Sequence, residues 1–88
     1  MADGDYVVSG TATVSATGPA SIATVDVTAT GATANDTVLL TQTNLPSDTK
    51  GPFQFKVTDV TTNAFTITAD RAQLPIDATF MFIVFEKT

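Results

Sequence analysis

The sequence predicts an all-β domain, a small antiparallel β-sandwich (jelly-roll-like, or a partly open barrel) of about six strands. Three observations predict it. Threonine is the commonest residue, 18 of 88, and alanine follows with 12; β-branched side chains suit a pleated surface. Apolar residues recur at every second position through most of the chain, which is the period of a half-buried strand. Turn residues separate these segments at roughly ten-residue spacing, and no stretch shows a capped helical period.

The first segment covers residues 6–16. Tyr6, Val8, Ala12, Val14 and Ala16 share one face, Ser9, Thr11, Thr13 and Ser15 the other, and Val7 breaks the pattern. Gly10 in its middle predicts a bulge or the close approach of another backbone. Thr17-Gly18-Pro19 ends it with turn chemistry. The second segment, residues 20–29, sets Ala23, Val25, Val27 and Ala29 against Thr24, Asp26 and Thr28, and residues 30–36 read as a loop. The third, residues 37–43, carries Val38 and Leu40 on one side and Leu39 on the other. Residues 44–52 hold two prolines and a glycine and read as an exposed loop.

Segments four and five form a hairpin. Phe53, Phe55 and Val57 alternate with Gln54, Lys56 and Thr58; Phe65, Ile67 and Ala69 alternate with Thr66 and Thr68. Their connection runs through Thr61-Thr62-Asn63, where Asn63 suits a positive φ. Residues 70–78 form the last loop, with one helical turn expected near residues 70–73.

The sixth segment, Thr79-Phe80-Met81-Phe82-Ile83-Val84-Phe85-Glu86, is apolar on both faces. Phe80, Phe82 and Val84 point one way, and Met81, Ile83 and Phe85 the other. A small domain covers one such face with its own second sheet. Covering both takes a strand in mid-core or another subunit. Burying three side chains of this size contributes on the order of 5–8 kcal/mol, so association is expected, with Met81, Ile83 and Phe85 as the oligomer interface.

Composition narrows the function. The length fits a single domain over residues 1–88, with residues 1–5 as an N-terminal arm. Cysteine and histidine are absent from the sequence, which removes disulfides, thiolate metal sites and the commonest general base. The net charge is −5, and Lys50, Lys56, Arg71 and Lys87 are scattered, which argues against a nucleic-acid partner. The apolar run from Phe80 to Phe85 is too short to span a bilayer, and the N-terminus lacks the basic and apolar regions of a signal peptide. A protein made in the cytoplasm, not classically exported and without a membrane partner, is the expectation.

Chemistry is hard to find. Ser9, Ser15, Ser21 and Ser47 have no histidine to activate them and no Gly-x-Ser-x-Gly setting. Asp3, Asp5, Asp36, Asp48, Asp70 and Asp77 lack the spacing of a calcium loop, and Asp36 and Asp70 are expected to cap or terminate strands instead. Gly31-Ala32-Thr33-Ala34 is no phosphate loop, since it lacks the lysine and the following helix. Asp26 and Lys56 are expected on solvent faces, where they aid solubility and guard against edge-to-edge pairing; a cross-strand pair between them would be worth under about 1 kcal/mol. The threonine faces read as wet sheet surface, with a carbohydrate or protein interface as the sharper reading. No catalytic, cofactor-binding or metal residue is assigned, and no cofactor is expected.

Ser9-Gly10-Thr11-Ala12-Thr13-Val14, Ala23-Thr24-Val25-Asp26-Val27 with Val38-Leu39-Leu40-Thr41, Ala64-Phe65-Thr66-Ile67-Thr68 and Phe82-Ile83-Val84-Phe85-Glu86 together resemble the small Thr-rich β modules of tailed-bacteriophage virion proteins. Those modules occur as tail-fibre domains and as small capsid-attached proteins. They often carry a tryptophan in the last strand, where this chain has Phe82 or Phe85. The resemblance implies a virion structural protein, usually a homotrimer, with no catalytic residues. A chain of 88 residues that opens on its own methionine leaves no room for a fibre shaft, which favours a free-standing capsid decoration or cement protein. The expected partners are further copies of the chain and a major capsid protein, and the expected location is the outer capsid surface of the virion. Asp3, Asp5 and Tyr6 in the arm and Leu45 and Lys50 in the loop of residues 44–52 are the expected capsid contacts. The alternative is a tail-fibre or receptor-binding module for a host-surface glycan or protein, with Tyr6 as its one amphipathic aromatic.

Overall fold

The computed structural model describes residues 5–86. Six long strands build two facing sheets: β1 (Tyr6–Val14), β2 (Ile22–Thr28), β3 (Thr37–Gln42), β6 (Phe55–Thr61), β7 (Ala64–Ala72) and β8 (Ala78–Phe85). Two short strands, β4 (Ser47–Asp48) and β5 (Gly51–Pro52), pair with each other as a ribbon. One sheet has the order β1-β8-β3 and the other β2-β7-β6, with every pairing antiparallel. The fold is the expected all-β sandwich, and the last strand of the chain is the central strand of its sheet.

The core lies between the sheets and is built from the alternation. Phe80, Phe82 and Val84 of β8 and Val14 of β1 face Phe65, Ile67 and Ala69 of β7 and Ala23 and Val27 of β2, all of them buried. Two aromatic pairs join the layers edge to face: Phe55 with Phe80 at a centroid distance of 5.1 Å, and Phe65 with Phe82 at 5.0 Å. Such contacts add about 0.5–1.5 kcal/mol each beyond the area they bury. Gly10 lies opposite Phe82 in the β1–β8 register, and a Cβ placed there would meet two atoms of the Phe82 ring at 3.1 Å. The glycine therefore admits an aromatic ring rather than another backbone. The bulge of β1 is at Val7, between Tyr6 and Val8. Its extra residue explains why Val7 breaks the alternation and why Tyr6 turns outward.

The hairpin of β6 and β7 turns on Thr62 and Asn63, with Asn63 at φ 63° as expected. Asn63 also docks the turn on the β2–β3 loop, accepting the Gly31 N–H on Oδ1 at 2.8 Å and donating its own N–H to the Ala32 carbonyl at 2.9 Å. A second bulge in β6, at Thr58, lets both Val57 and Val60 reach the core.

Two further expectations are corrected. Residues 70–73 form no helical turn, because β7 continues through Asp70 and Arg71 to Ala72. The long loop of residues 44–52 carries the β4–β5 ribbon, closed by Gly51 at φ 107°. Asp26 and Lys56 do not pair, since β7 lies between their strands; Asp26 instead accepts the Thr66 hydroxyl at 2.8 Å.

A valine at position 10 is expected to cost about 1–3 kcal/mol through overpacking, lowering the thermal midpoint by roughly 5–20 °C. Thr11→Val, one residue along on the exposed face, is expected to stay within about 0.5 kcal/mol of the parent. Thermal denaturation followed by circular dichroism reads both.

Candidate functional site

The outer faces of the two sheets differ in chemistry. On the β2-β7-β6 sheet the outward side chains are mostly polar: Thr24, Asp26 and Thr28, then Thr66 and Thr68, then Lys56 and Thr58; Ile22, at the start of β2, is a lone apolar side chain, 55% exposed. The hydroxyls bond one another across the strands, Thr24 and Thr58 each sharing a hydrogen bond with Thr68. That face is finished in water.

On the β1-β8-β3 sheet the outward positions of β8 are Thr79, Met81, Ile83 and Phe85. Met81 is 56% exposed and Ile83 39%. Leu39 of β3 lies directly opposite Ile83 and is 54% exposed. Ser9 and Thr11 of β1 and Thr41 of β3 flank these three, being the register partners of Ile83 and Met81. Together they line a shallow hollow of about 370 Å³. The arrangement is an apolar stripe rimmed by short hydroxyl side chains, which is the build of a surface for docking rather than for chemistry. Phe85 is half-buried beside Tyr6 and Thr37 and contributes less of the stripe than Met81 and Ile83. Leu39 belongs to the stripe although the sequence reading left it out. The signal was present, since it is the one apolar residue on the threonine side of its strand.

The expected capsid-contact residues do not form one patch. Tyr6 pairs with Phe85 at one end of the sheet, sharing a hydrogen bond of 3.1 Å between its hydroxyl and that of Ser9. The Asp5 carbonyl accepts the Glu86 N–H there at 2.7 Å. Leu45, 73% exposed, and the exposed Lys50 follow the other end of β3, beyond the Gln42–Phe80 pair. Asp3 and the rest of residues 1–4 lie outside the described residues.

Near Lys50 the ribbon is held to the body by Arg71. Its guanidinium stacks on the Phe53 ring at 4.0 Å and donates to both Asp48 oxygens, at 2.7 and 3.2 Å. It also donates to the Gly51 carbonyl at 2.6 Å and to Asp70 at 2.9 Å. The hydrogen bond from Arg71 is the main reason the Asp48 carboxyl sits below its ordinary value of 3.8. Arg71 is correspondingly pushed up, chiefly by that same bond. An open cleft of about 810 Å³ lies alongside, between the ribbon, Thr17 and residues 71–75. Its strongest charges, Arg71 and Asp48, are spent on each other, so the cleft offers no free cation–anion pair to a ligand.

The carboxylates have local tasks. Asp36 accepts the Thr33 N–H and hydroxyl, both at 3.0 Å. Asp77 Oδ1 accepts the Ala16 N–H at 2.8 Å. Asp70, inside β7 rather than at its end, accepts the Gln54 N–H at 3.3 Å. Among the described residues no three acidic side chains gather as a metal site. Compared with protein-family models, curated proteins and solved structures, the chain matches none of them.

A depressed carboxyl contributes stability that is full above its unfolded value and is lost as pH falls through the lowered folded value. Ribbon closure is therefore expected to hold at pH 5 and to loosen only below about pH 3.8. An NMR titration should place the Asp48 midpoint under the ordinary value. Arg71→Met should bring it back and speed exchange of the Lys50 amide, which donates to Asp48 Oδ1 at 2.9 Å.

Proposed function

We propose that this chain is a structural, non-enzymatic protein that works by association, burying the outer face of the β1-β8-β3 sheet against further copies of itself. The observation that carries this reading is the contrast between the two outer faces: a hydroxyl lattice on one, and an uncovered stripe of Leu39, Met81 and Ile83 on the other. The magnitudes say what kind of association it is. These side chains are already about half covered, so completing their burial contributes on the order of 3 kcal/mol per copy. Two such faces supply about 6 kcal/mol against an association cost of roughly 4–15 kcal/mol. A single face contact is therefore weak, and a surface that engages several copies at once gains by avidity.

That energetics suits a decoration or cement protein, which binds a repeating lattice and stabilises it by preferring the assembled form. The homotrimer, the major capsid protein as partner and the virion surface as location come from the resemblance to phage modules. In that setting Tyr6 and Asp5 at one end, and Leu45 and Lys50 at the other, are contacts to two different neighbours on the lattice, since the sheet separates them.

Ile83→Asp places a charge in the stripe at an exposed position. It is expected to weaken self-association at least about tenfold, the equivalent of 1.4 kcal/mol, with an unchanged circular dichroism spectrum. Light scattering across a micromolar concentration series measures it. A variant that keeps the parent's assembly mass at every concentration would remove Ile83 from the interface.

A further inference from the structure

Among the described residues, four of the six long strands are sheet edges: β1 and β3 in one sheet, β2 and β6 in the other. An open edge offers unpaired N–H and C=O groups to any other strand, and proteins guard such edges with charges, prolines and bulges. β1 is bulged at Val7 and interrupted by Gly10. β2 carries Asp26 and a register shift between Ile22 and Thr24. β6 carries Lys56 and Asp59 and a bulge at Thr58. β3, Thr-Val-Leu-Leu-Thr-Gln, has no charge, no glycine, no proline and an unbroken register with β8. It is the unguarded edge.

The hydrogen-bond parity says which of its groups are open. The Thr43 N–H donates to the Thr79 carbonyl at 2.8 Å, which makes those two a bonded pair. Antiparallel ladders alternate bonded and non-bonded pairs. Thr41, Leu39 and Thr37 therefore bond to β8, and the N–H and C=O of Val38 and Leu40 point to the open side.

The sequence of β3 is self-complementary for one antiparallel register. With a twofold axis at Leu39, Val38 falls opposite Leu40 of the second copy, Thr37 opposite Thr41, and Leu39 opposite Leu39. From Thr37 to Thr41 every pair is apolar with apolar or hydroxyl with hydroxyl, and all side chains keep their own face. The open groups of Val38 and Leu40 then bond each other across the axis. The same register brings Gln42, whose Nε2 is buried without a hydrogen-bond partner among the described residues, opposite Asp36 of the second copy.

We propose that two copies of this chain pair through β3, antiparallel about a twofold axis at Leu39, to form a continuous sheet of order β1-β8-β3-β3-β8-β1. The occupant of the edge is a second copy, because the matched register is a property of the strand with itself. Since each copy has one unguarded edge, the pairing closes at two and does not propagate. It sets the two Leu39 side chains side by side and joins both apolar stripes into one. This contact deepens the association reading above and uses different atoms from the Met81–Ile83 face; a threefold over that face and a twofold through β3 close together as a D3 assembly when their axes cross.

The chain has no cysteine, so single-cysteine variants report contacts cleanly. In the paired edge the two Leu39 positions form a non-bonded pair with Cα atoms about 4.5 Å apart, within disulfide reach. The two Thr41 positions are roughly 13 Å apart and the two Ile83 positions roughly 14 Å. Under mild oxidation at micromolar concentration, Leu39→Cys is expected to form a disulfide-linked dimer at least about tenfold faster than Thr41→Cys, while Ile83→Cys reports the separate face contact. Val38→Pro removes an outward N–H that β8 does not use, a position where an edge strand tolerates proline. It is expected to abolish that dimer while the circular dichroism spectrum stays that of the folded sheets, with a lower thermal midpoint because Val38 packs against the core. Fast cross-linking of Ile83→Cys with slow cross-linking of Leu39→Cys would overturn the edge pairing and leave the face reading standing. No cross-linking above a denatured control, together with a monomer in sedimentation, would overturn both.

Discussion

The ring of Phe82 packs over Gly10 of β1, where a Cβ would come within 3.1 Å of it, and meets Phe65 of the other sheet edge to face at 5.0 Å. Because side chains alternate along a strand, fixing that one ring inward fixes all of β8. Phe80 and Val84 follow it into the core, and Met81 and Ile83 are turned out. A slip of one residue would exchange the two sets and place Met81 against Gly10, losing both aromatic pairs that join the layers. The exposed stripe is thus a consequence of how the core is packed, and its composition is what the core constraint leaves free. The chain places Met, Ile and Leu there, although threonine fills the equivalent places on the other sheet.

Both readings of assembly grow from that asymmetry. The central strand carries the apolar face, and the adjoining edge strand β3 carries an unbroken, uncharged ladder with Leu39 continuing the stripe. Face burial alone supplies only a few kcal/mol per copy, so a stable complex needs either several contacts or added backbone hydrogen bonds. The β3 edge provides the second kind. Elsewhere the surface is closed by local bonds: Asn44 bridges the Asp77 carbonyl and the Thr79 N–H, Thr17 ties its loop to Ser21 and Leu74, and Arg71 holds the ribbon.

Much of this was legible in the sequence. Period-two alternation locates the six long strands, and the two-faced last segment separates Phe80, Phe82 and Val84 from Met81 and Ile83 correctly. Asn63 marks the hairpin turn because its side chain tolerates positive φ. What escaped depends on distant partners. Asp70 and Arg71 look like loop residues, yet they sit in β7 because Phe53, Asp48 and Gly51 occupy the guanidinium. Asp26 and Lys56 read as solvent-facing and are exposed, but sheet order is not written in alternation, and β7 separates their strands. Gly10 predicts a bulge or the close approach of another backbone, and a ring meets it instead. Leu39 was visible as an outward apolar residue, and only the register with Ile83 shows that it joins the stripe.

Oxidation of Met81 by peroxide, followed by mass spectrometry across a range of protein concentration, tests the central claim most directly. A thioether 56% exposed in the single chain should oxidise at close to the rate of free methionine at high dilution. It should be protected progressively as copies assemble over it at micromolar concentration and above. A rate that stays the same at every concentration would contradict the account, because the stripe would then have no copy to cover it.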